Sequence, residues 1–195
     1  MEILEDSLVC GIDEAGRGSL AGSMFMCGVV LGEDFPQELR GELKDSKKLT
    51  QNKRDALAPL IKKYAIYHLV ERSADLIDAK GLSYSIKSAL EEILENISAK
   101  VYVFDGNSTF GVKNLQALIK GDDKIKAISA ASILAKNAKD MQMQKLDEIY
   151  PQYQFAKNKG YGSKAHIEAI LEYGMCEVHR KTYKIKSLLQ PSFEF

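Results

Sequence analysis

The chain has 195 residues, 45% of them hydrophobic and 28% charged, the proportions of a soluble globular protein able to bury a real core. Lysine plus arginine equals aspartate plus glutamate at 27 each, so any contact with nucleic acid must rest on local patches and not on net charge. No apolar run reaches membrane-spanning length, the amino terminus lacks the basic and apolar regions of a signal peptide, and the three scattered cysteines (Cys10, Cys27, Cys176) build no disulfide framework; a reducing, cytoplasmic setting without a membrane is expected.

Residues 8–12 and 24–31 read as two strands joined through a glycine-rich turn and forming a hairpin-like pair. A basic loop, Asp45-Ser46-Lys47-Lys48-Leu49, precedes Thr50, a good N-cap for a helix with Leu57, Leu60, Ile61 and Tyr64 at helical spacing. Residues 65–70 predict a third strand, and residues 73–97 a long helical stretch broken at Gly81. Val101-Tyr102-Val103-Phe104-Asp105 repeats the opening pattern of an apolar run ending in an acid, and residues 115–119 predict a short last strand. A helix over about 124–146 follows, rich in small residues from Ala127 to Ala135, which suits close packing on the sheet. Beyond Pro151, tyrosines 150, 153, 161, 173 and 183 interleave with lysines and Arg180, predicting a small helical C-terminal subdomain (residues 151–195) on a main body of residues 1–150. This order is an α/β fold with a mixed sheet; long helical crossovers favour parallel pairing of the strands they join.

The chemistry concentrates where strands end. Asp13 and Glu14 follow the first apolar run, and Gly16, Gly18 and Gly22 then surround a single arginine, Arg17, more glycine than a plain turn needs. Solvated acids in an N-capped turn are the competing reading. Asp105 ends the fourth strand and Asp122 stands just before a helix. If the first and fourth strands are neighbours, about 4.8 Å apart, Asp13 and Asp105 can share one cation, and oxygen-only ligands select Mg²⁺ or Mn²⁺. His68, His166 and His179 have no evident partners, and Cys176 with His179 has a zinc-like spacing but no second pair. The glycine spacing is Gly-x-Gly-x-x-x-Gly, not the dinucleotide-binding Gly-x-Gly-x-x-Gly.

Taken together, six segments resemble the bacterial type 2 ribonucleases H (ribonuclease HII): Gly11-Ile12-Asp13-Glu14-Ala15-Gly16-Arg17-Gly18, Asp45-Ser46-Lys47-Lys48-Leu49, Asp105-Gly106-Asn107, Lys120-Gly121-Asp122, Ile128-Ser129-Ala130-Ala131-Ser132-Ile133-Leu134-Ala135-Lys136 and Gly160-Tyr161-Gly162. They occur in the family's order across nearly the whole chain. The resemblance implies an RNase H-like mixed β-sheet flanked by helices. It also implies an endonuclease that hydrolyses the RNA strand of RNA–DNA hybrids and cuts 5′ of single ribonucleotides in duplex DNA. Two divalent metal ions, Mn²⁺ or Mg²⁺, would serve the reaction, which leaves a 3′-hydroxyl and a 5′-phosphate. On this resemblance Asp13, Glu14, Asp105 and Asp122 hold the metal, the backbone of Gly16-Arg17-Gly18 reads the ribose 2′-hydroxyl, Tyr161 packs on the sugar at the ribonucleotide–deoxyribonucleotide junction, and Lys47 and Lys48 hold phosphates. A non-catalytic hybrid-binding module on the same fold would be expected to lack one of the acids, and all four are present.

Two departures from the family pattern and one feature of the tail stand out. Ser19 and Ser23 occupy positions where prolines are usual, which predicts a looser glycine loop. Asp123 follows Asp122 where serine is usual; register favours Asp122 as the ligand and Asp123 as an N-cap. The tail Gln190-Pro191-Ser192-Phe193-Glu194-Phe195 resembles a sliding-clamp-binding peptide, with packing of Phe193 and Phe195 on the body as the alternative. The chain is otherwise expected to act as a monomer.

Overall fold

A computed structural model describes residues 9–44 and 46–185. In chain order the strands are β1 (Val9–Ala15), β2 (Met24–Leu31), β3 (Ala65–Arg72), β4 (Val101–Asp105) and β5 (Leu115–Leu118). The helices are α1 (Gln37–Glu42), α2 (Gln51–Tyr64), α3 (Ala74–Lys80), α4 (Leu82–Asn96), α5 (Lys126–Ile149), α6 (Phe155–Asn158) and α7 (Lys164–Tyr173). The five strands form one mixed sheet in the order β3-β2-β1-β4-β5. β1 pairs antiparallel with β2 and parallel with β4, so β1 is the hinge between an antiparallel half and a parallel half.

Every residue of β2 is buried, as a run of Met, Phe, Cys, Val and Leu broken only by Gly28 requires of a strand covered on both faces. The side-chain period of two then sorts β1. Cys10 and Ile12 join one core with Met24, Met26 and Phe104 beneath α3 and α4, while Gly11 faces α5. The opposite core sets Cys27, Val29 and Leu31 against Ala130, Ala131 and Leu134 of α5 and Leu57 and Ile61 of α2. The small-residue stretch of α5 works as expected: a Cβ built on Gly11 would lie 2.2 Å from the Ile128 backbone nitrogen, so helix and strand touch main chain to main chain.

Local signals behave as read. Thr50 Oγ1 accepts from the Lys53 N–H and Ser73 Oγ from the Leu76 N–H, capping α2 and α3. Gly81, at φ 86°, separates α3 from α4. On α2, Leu57 and Ile61 are buried but Leu60 and Tyr64 are exposed, which narrows the apolar stripe.

The crossover expectation is corrected. β2 and β3, joined through α2, are antiparallel, and β3 and β4, joined through α3 and α4, are not neighbours. The chain between β2 and α2, in its described residues 32–44 and 46–50, already returns toward the other end of the sheet, bringing Lys47 to the cavity that holds Asp13, and α2 retraces that distance so that Ala65 starts opposite Leu31. β3 thereby takes the free edge of β2, and β4 must pass to the free edge of β1. Asp123 is corrected too: α5 starts at Lys126 with Ile125 at its N-cap and no side-chain cap, and Asp123 lies in a 3₁₀ turn, Gly121–Asp123.

The segment after Pro151 packs on the far end of α5, where Met143 meets Tyr153, Phe155, Ala169 and Ile170 around Ala21. The chain then returns to the glycine loop, with Ala21 bridged to His179. Among the described residues no helix is long and apolar enough to cross a membrane. Asp45 and the tail 190–195 lie outside the described residues, as does Leu8.

Candidate active site

The acids meet where β1 and β4 end. The last parallel pair is Ile12 with Phe104, so the next step of the register brings Asp13 alongside Asp105. Asp13 is driven up to about 8, first by burial and then by the Glu14 charge, with Asp105 adding to the repulsion. A hydrogen bond from Ser132 of α5 and the Glu14 N–H, 2.8 Å from Asp13 Oδ1, pull the other way. Glu14 is also held above its ordinary value, again mainly by burial, although Arg17 and Lys47 partly offset this.

Asp105 is gripped by the turn that carries the fourth acid. Its Oδ1 accepts from the Gly121 N–H at 3.2 Å and its Oδ2 from the Asp122 N–H at 3.4 Å. Gly121 packs closely on α5, where a Cβ would meet Ile128 Cδ1 at 2.6 Å. Ser129 of α5 donates to the Asp122 carbonyl at 2.6 Å, tying the turn to the helix. Asp105, Asp122, Asp123, Lys47, Lys48 and Lys120 line one cavity; Asp13 and Glu14 line the adjoining one. Asp123 forms an ion pair with Lys48, which lowers its pKa, instead of capping a helix.

The donor set suits a hard divalent cation. Carboxylates that are buried, mutually repelling and shifted upward are stabilised by a positive ion between them, and Glu14 Oε2 is a buried oxygen without a hydrogen-bond partner. As the side chains stand, no three or more acidic, histidine or cysteine groups among the described residues are arranged to hold a metal ion. The fit therefore lies in the chemistry and convergence of the donors.

The glycine turn forms the rim of the Asp13 cavity, together with Tyr161, Lys47 and Lys136. Gly16, at φ 89°, has no room for a Cβ, which would meet Lys139 Cδ at 2.8 Å and the Ser23 carbonyl at 2.9 Å. Arg17 reaches outward over the Phe110 ring at 5.5 Å. The Gly160 carbonyl accepts from the Leu20 and Ala21 N–H groups at 2.8 and 3.2 Å, which sets Tyr161 beside the turn. Beneath both lies Lys139, fully buried, its Nζ 5.6 Å from the Tyr161 ring centre. Burial, then the Arg180 and Lys136 charges, lower Lys139 to about 7.

The expected loosening at Ser19 and Ser23 is corrected for Ser23. Its N–H donates to Gln142 Oε1 at 2.9 Å, its hydroxyl donates to Glu71 Oε1 at 2.6 Å, and Gln142 Nε2 donates back to that hydroxyl at 2.8 Å. Three side-chain bonds replace the rigidity of a proline ring.

Several contributing residues escaped the sequence reading. Ser132 holds Asp13 and lies 2.8 Å from Ser46 Oγ. Its signal was available: Ser129, Ser132, Lys136 and Lys139 are spaced three and four apart, the interval that places them along one face of the helix. The histidines do have partners. His68 Nε2 lies 3.2 Å from Glu92, and His166 Nε2 lies 3.0 Å from His179 Nε2. A carbonyl can only accept and an amide N–H can only donate, which orders the second pair. His166 Nδ1–H donates to the Tyr161 carbonyl at 2.8 Å, His179 Nε2–H donates to His166, and His179 Nδ1 accepts from the Cys176 N–H at 3.0 Å. Cys176 thus belongs to this chain of bonds and not to a zinc site.

Comparison with known proteins gives a consistent result. A family model described as Ribonuclease HII matches residues 10–186. The chain is 48% identical over 188 residues to a ribonuclease HII of Sulfurovum sp. strain NBC37-1, covering 96% of this chain and 97% of that one. It is also 48% identical over 182 residues to that of Aliarcobacter butzleri, with 92% of each chain covered. Among solved structures, the Archaeoglobus fulgidus RNase HII determined in complex with PCNA superimposes with a TM-score of 0.79 at 26% identity, covering 95% of this chain and 98% of that one. Ribonuclease H2 of Pyrococcus horikoshii OT3 gives a TM-score of 0.73 at 27% identity over 90% and 93% of the two chains.

Proposed function

Because the chain belongs to the ribonuclease HII family, it is a ribonuclease H acting on the RNA strand of RNA–DNA hybrids, and we propose that it also nicks duplex DNA 5′ of a single embedded ribonucleotide by two-metal-ion catalysis. The main support is that the strand register brings Asp105 alongside Asp13 and the Asp122 amide reaches Asp105, while Asp13 and Glu14 share a cavity with the glycine turn and Tyr161.

In this proposal Asp13, Glu14, Asp105 and Asp122 hold Mn²⁺ or Mg²⁺, and such an ion supplies acidified water and neutralises charge developing on the phosphate. The protein does the rest by placement. Ser132 and the Glu14 amide orient Asp13, while the amides of Gly121 and Asp122 orient Asp105. Lys47 and Lys48, which line the cavity of Asp105 and Asp122, hold backbone phosphates, as cations facing a polyanion do. The Gly16-Arg17-Gly18 main chain reads the 2′-hydroxyl, the one group that separates ribose from deoxyribose. Tyr161, 41% exposed and seated on Lys139, offers a ring face to the next sugar.

One assay decides this. The protein is incubated with Mg²⁺ or Mn²⁺ and a labelled duplex carrying one ribonucleotide, and the cut is mapped at nucleotide resolution. A nick on the 5′ side of the ribonucleotide, leaving a 3′-hydroxyl, is expected. Cleavage of the all-DNA control, or none of either duplex, refutes it.

We also propose that residues 190–195 dock into a sliding clamp. The complex of the Archaeoglobus fulgidus relative with PCNA supports a clamp partner. Clamp pull-down that survives deletion of Gln190 to Phe195 rules the tail out.

A further inference from the structure

We propose that Arg180, assisted by Tyr183, is a positioning residue for sugar discrimination: it fixes the peptide between Arg17 and Gly18 so that the Gly18 N–H faces the substrate cleft. This rests on the assignment, under Proposed function, of residues 16–18 as the ribose-sensing turn.

Arg180 is fully buried. Burying a permanent charge is costly unless its donors are satisfied, and here they are satisfied by main chain. Nε and Nη2 donate to the Gly22 carbonyl at 3.1 and 2.9 Å, and Nη1 donates to the Arg17 carbonyl at 2.9 Å and to Tyr183 Oη at 3.1 Å. Tyr183 Oη in turn donates to the same Arg17 carbonyl at 2.9 Å. The two carbonyls bracket the turn, one near each end. A planar guanidinium spans them with rigid geometry, whereas an ammonium projects all its donors from one atom and cannot hold both in the same way.

The consequence for the cleft follows from peptide geometry. The peptide is planar and trans, so its C=O and the following N–H point to opposite sides; the described residues include no cis bond. With the Arg17 carbonyl drawn inward by two donors, the Gly18 N–H is turned outward. Gly18 is exposed, a Cβ built there would meet nothing within 4 Å, and the residue lines the cavity shared by Asp13, Glu14 and Tyr161.

The neighbouring contacts show that this is a separate device. The body of the turn is already anchored by Leu20 and Ala21 on the Gly160 carbonyl, and by main-chain bonds from Arg180 N to Leu20 O and from Gly22 N to Val178 O, each 2.8 Å. Those bonds hold the loop in place. The orientation of the Arg17–Gly18 peptide is held by Arg180 and Tyr183.

The test compares affinity for a duplex with one ribonucleotide and for the same duplex in all-DNA form. It is run in Ca²⁺ with cleavage checked to be absent, for the wild type, Tyr183→Phe and Arg180→Lys, and thermal unfolding is recorded for each. Tyr183→Phe keeps the ring and removes one donor, so the preference for the ribonucleotide duplex should fall roughly fivefold, the factor set by one neutral hydrogen bond. Affinity for the all-DNA duplex should stay unchanged. Arg180→Lys should narrow the preference further. Variants that fold and keep the wild-type preference, or that lose affinity equally for both duplexes, overturn the proposal. If Arg180→Lys fails to fold, Tyr183→Phe decides alone. A wild type that binds both duplexes equally overturns the turn assignment itself, and this proposal with it.

Discussion

Replacing Gly11 with alanine tests whether main-chain contact between β1 and α5 positions the acids. The new Cβ would lie 2.2 Å from Ile128 N, 2.4 Å from Ala127 C and 2.9 Å from Ala127 Cβ. Carbon contacts normally sit at about 3.5–4.0 Å, so the helix must retreat by more than about 1 Å. The first two obstacles are backbone and cannot rotate aside, which puts the cost at the upper end of the ~1–3 kcal/mol typical of overpacking. In a chain of this size that is about 6–12 °C in Tm. α5 also carries Ser132 to Asp13 and Ser129 to the Asp122 carbonyl, so its retreat disturbs both acids; a 1 Å misplacement can cost about 100-fold in rate. Gly41→Ala is the control, since a Cβ there meets nothing within 4 Å and the residue is helical. Thermal unfolding and kcat/KM on a ribonucleotide-containing duplex are measured for both. If Gly11→Ala melts within about 2 °C of the wild type and retains its rate, helix–strand contact does not set the site and the reasoning fails.

Other outcomes follow from the same geometry. Asp122→Asn should abolish cleavage while Asp123→Asn mostly preserves it, because Asp122 is the residue whose amide meets Asp105 and the Asp123 carboxylate is paired with Lys48; the reverse pattern in a nicking assay would show the register to be wrong. Asp13, held at about 8 in the folded state against an ordinary 3.8, makes the metal-free protein lose stability as pH rises through that window. Asp13→Asn should therefore melt higher than the wild type at pH 8 in EDTA, by about 2 °C or more, yet be inactive and gain no further stability from Mn²⁺; equal melting of the two proteins in EDTA would contradict this. His179 is lowered to about 4 from an ordinary 6.5, first by burial and then by His166, so the unfolded chain takes up a proton that the folded one refuses. Stability should be full above pH 6.5 and fall by about 3 kcal/mol as pH drops to 4. Urea unfolding across that range, with a flatter profile for His179→Asn, checks it.

Much of this was legible because it is local. Thr50 and Gly81 mark helix boundaries through bonds and dihedrals within a few residues, and the structure uses each as read. Asp13 and Asp105 announce themselves at the ends of apolar runs. The errors were non-local. Asp123 looks like an N-cap until Lys48, distant in sequence, draws it away from the helix. His166 and His179 look solitary because their contact forms only when the segment after α7 folds back on that helix. Ser23 looks like a lost proline because Gln142 and Glu71, which brace it, lie on other elements.

The amino-acid order alone gave the strands and helices, the turn conformations that need glycine, and the candidate acids, since periodicity, caps and strand-end chemistry depend on near neighbours. Tertiary packing decided which strand edges β3 and β4 occupy, how α5 bears on Gly11, and which buried donors hold the glycine turn. Arg180 makes the difference plain. Its guanidinium reaches the carbonyls of Arg17 and Gly22, more than 150 positions earlier in the chain. Hydrogen bonds closed over that distance leave no trace in local pattern, because they exist only after the sheet, α5 and the returning segment have assembled.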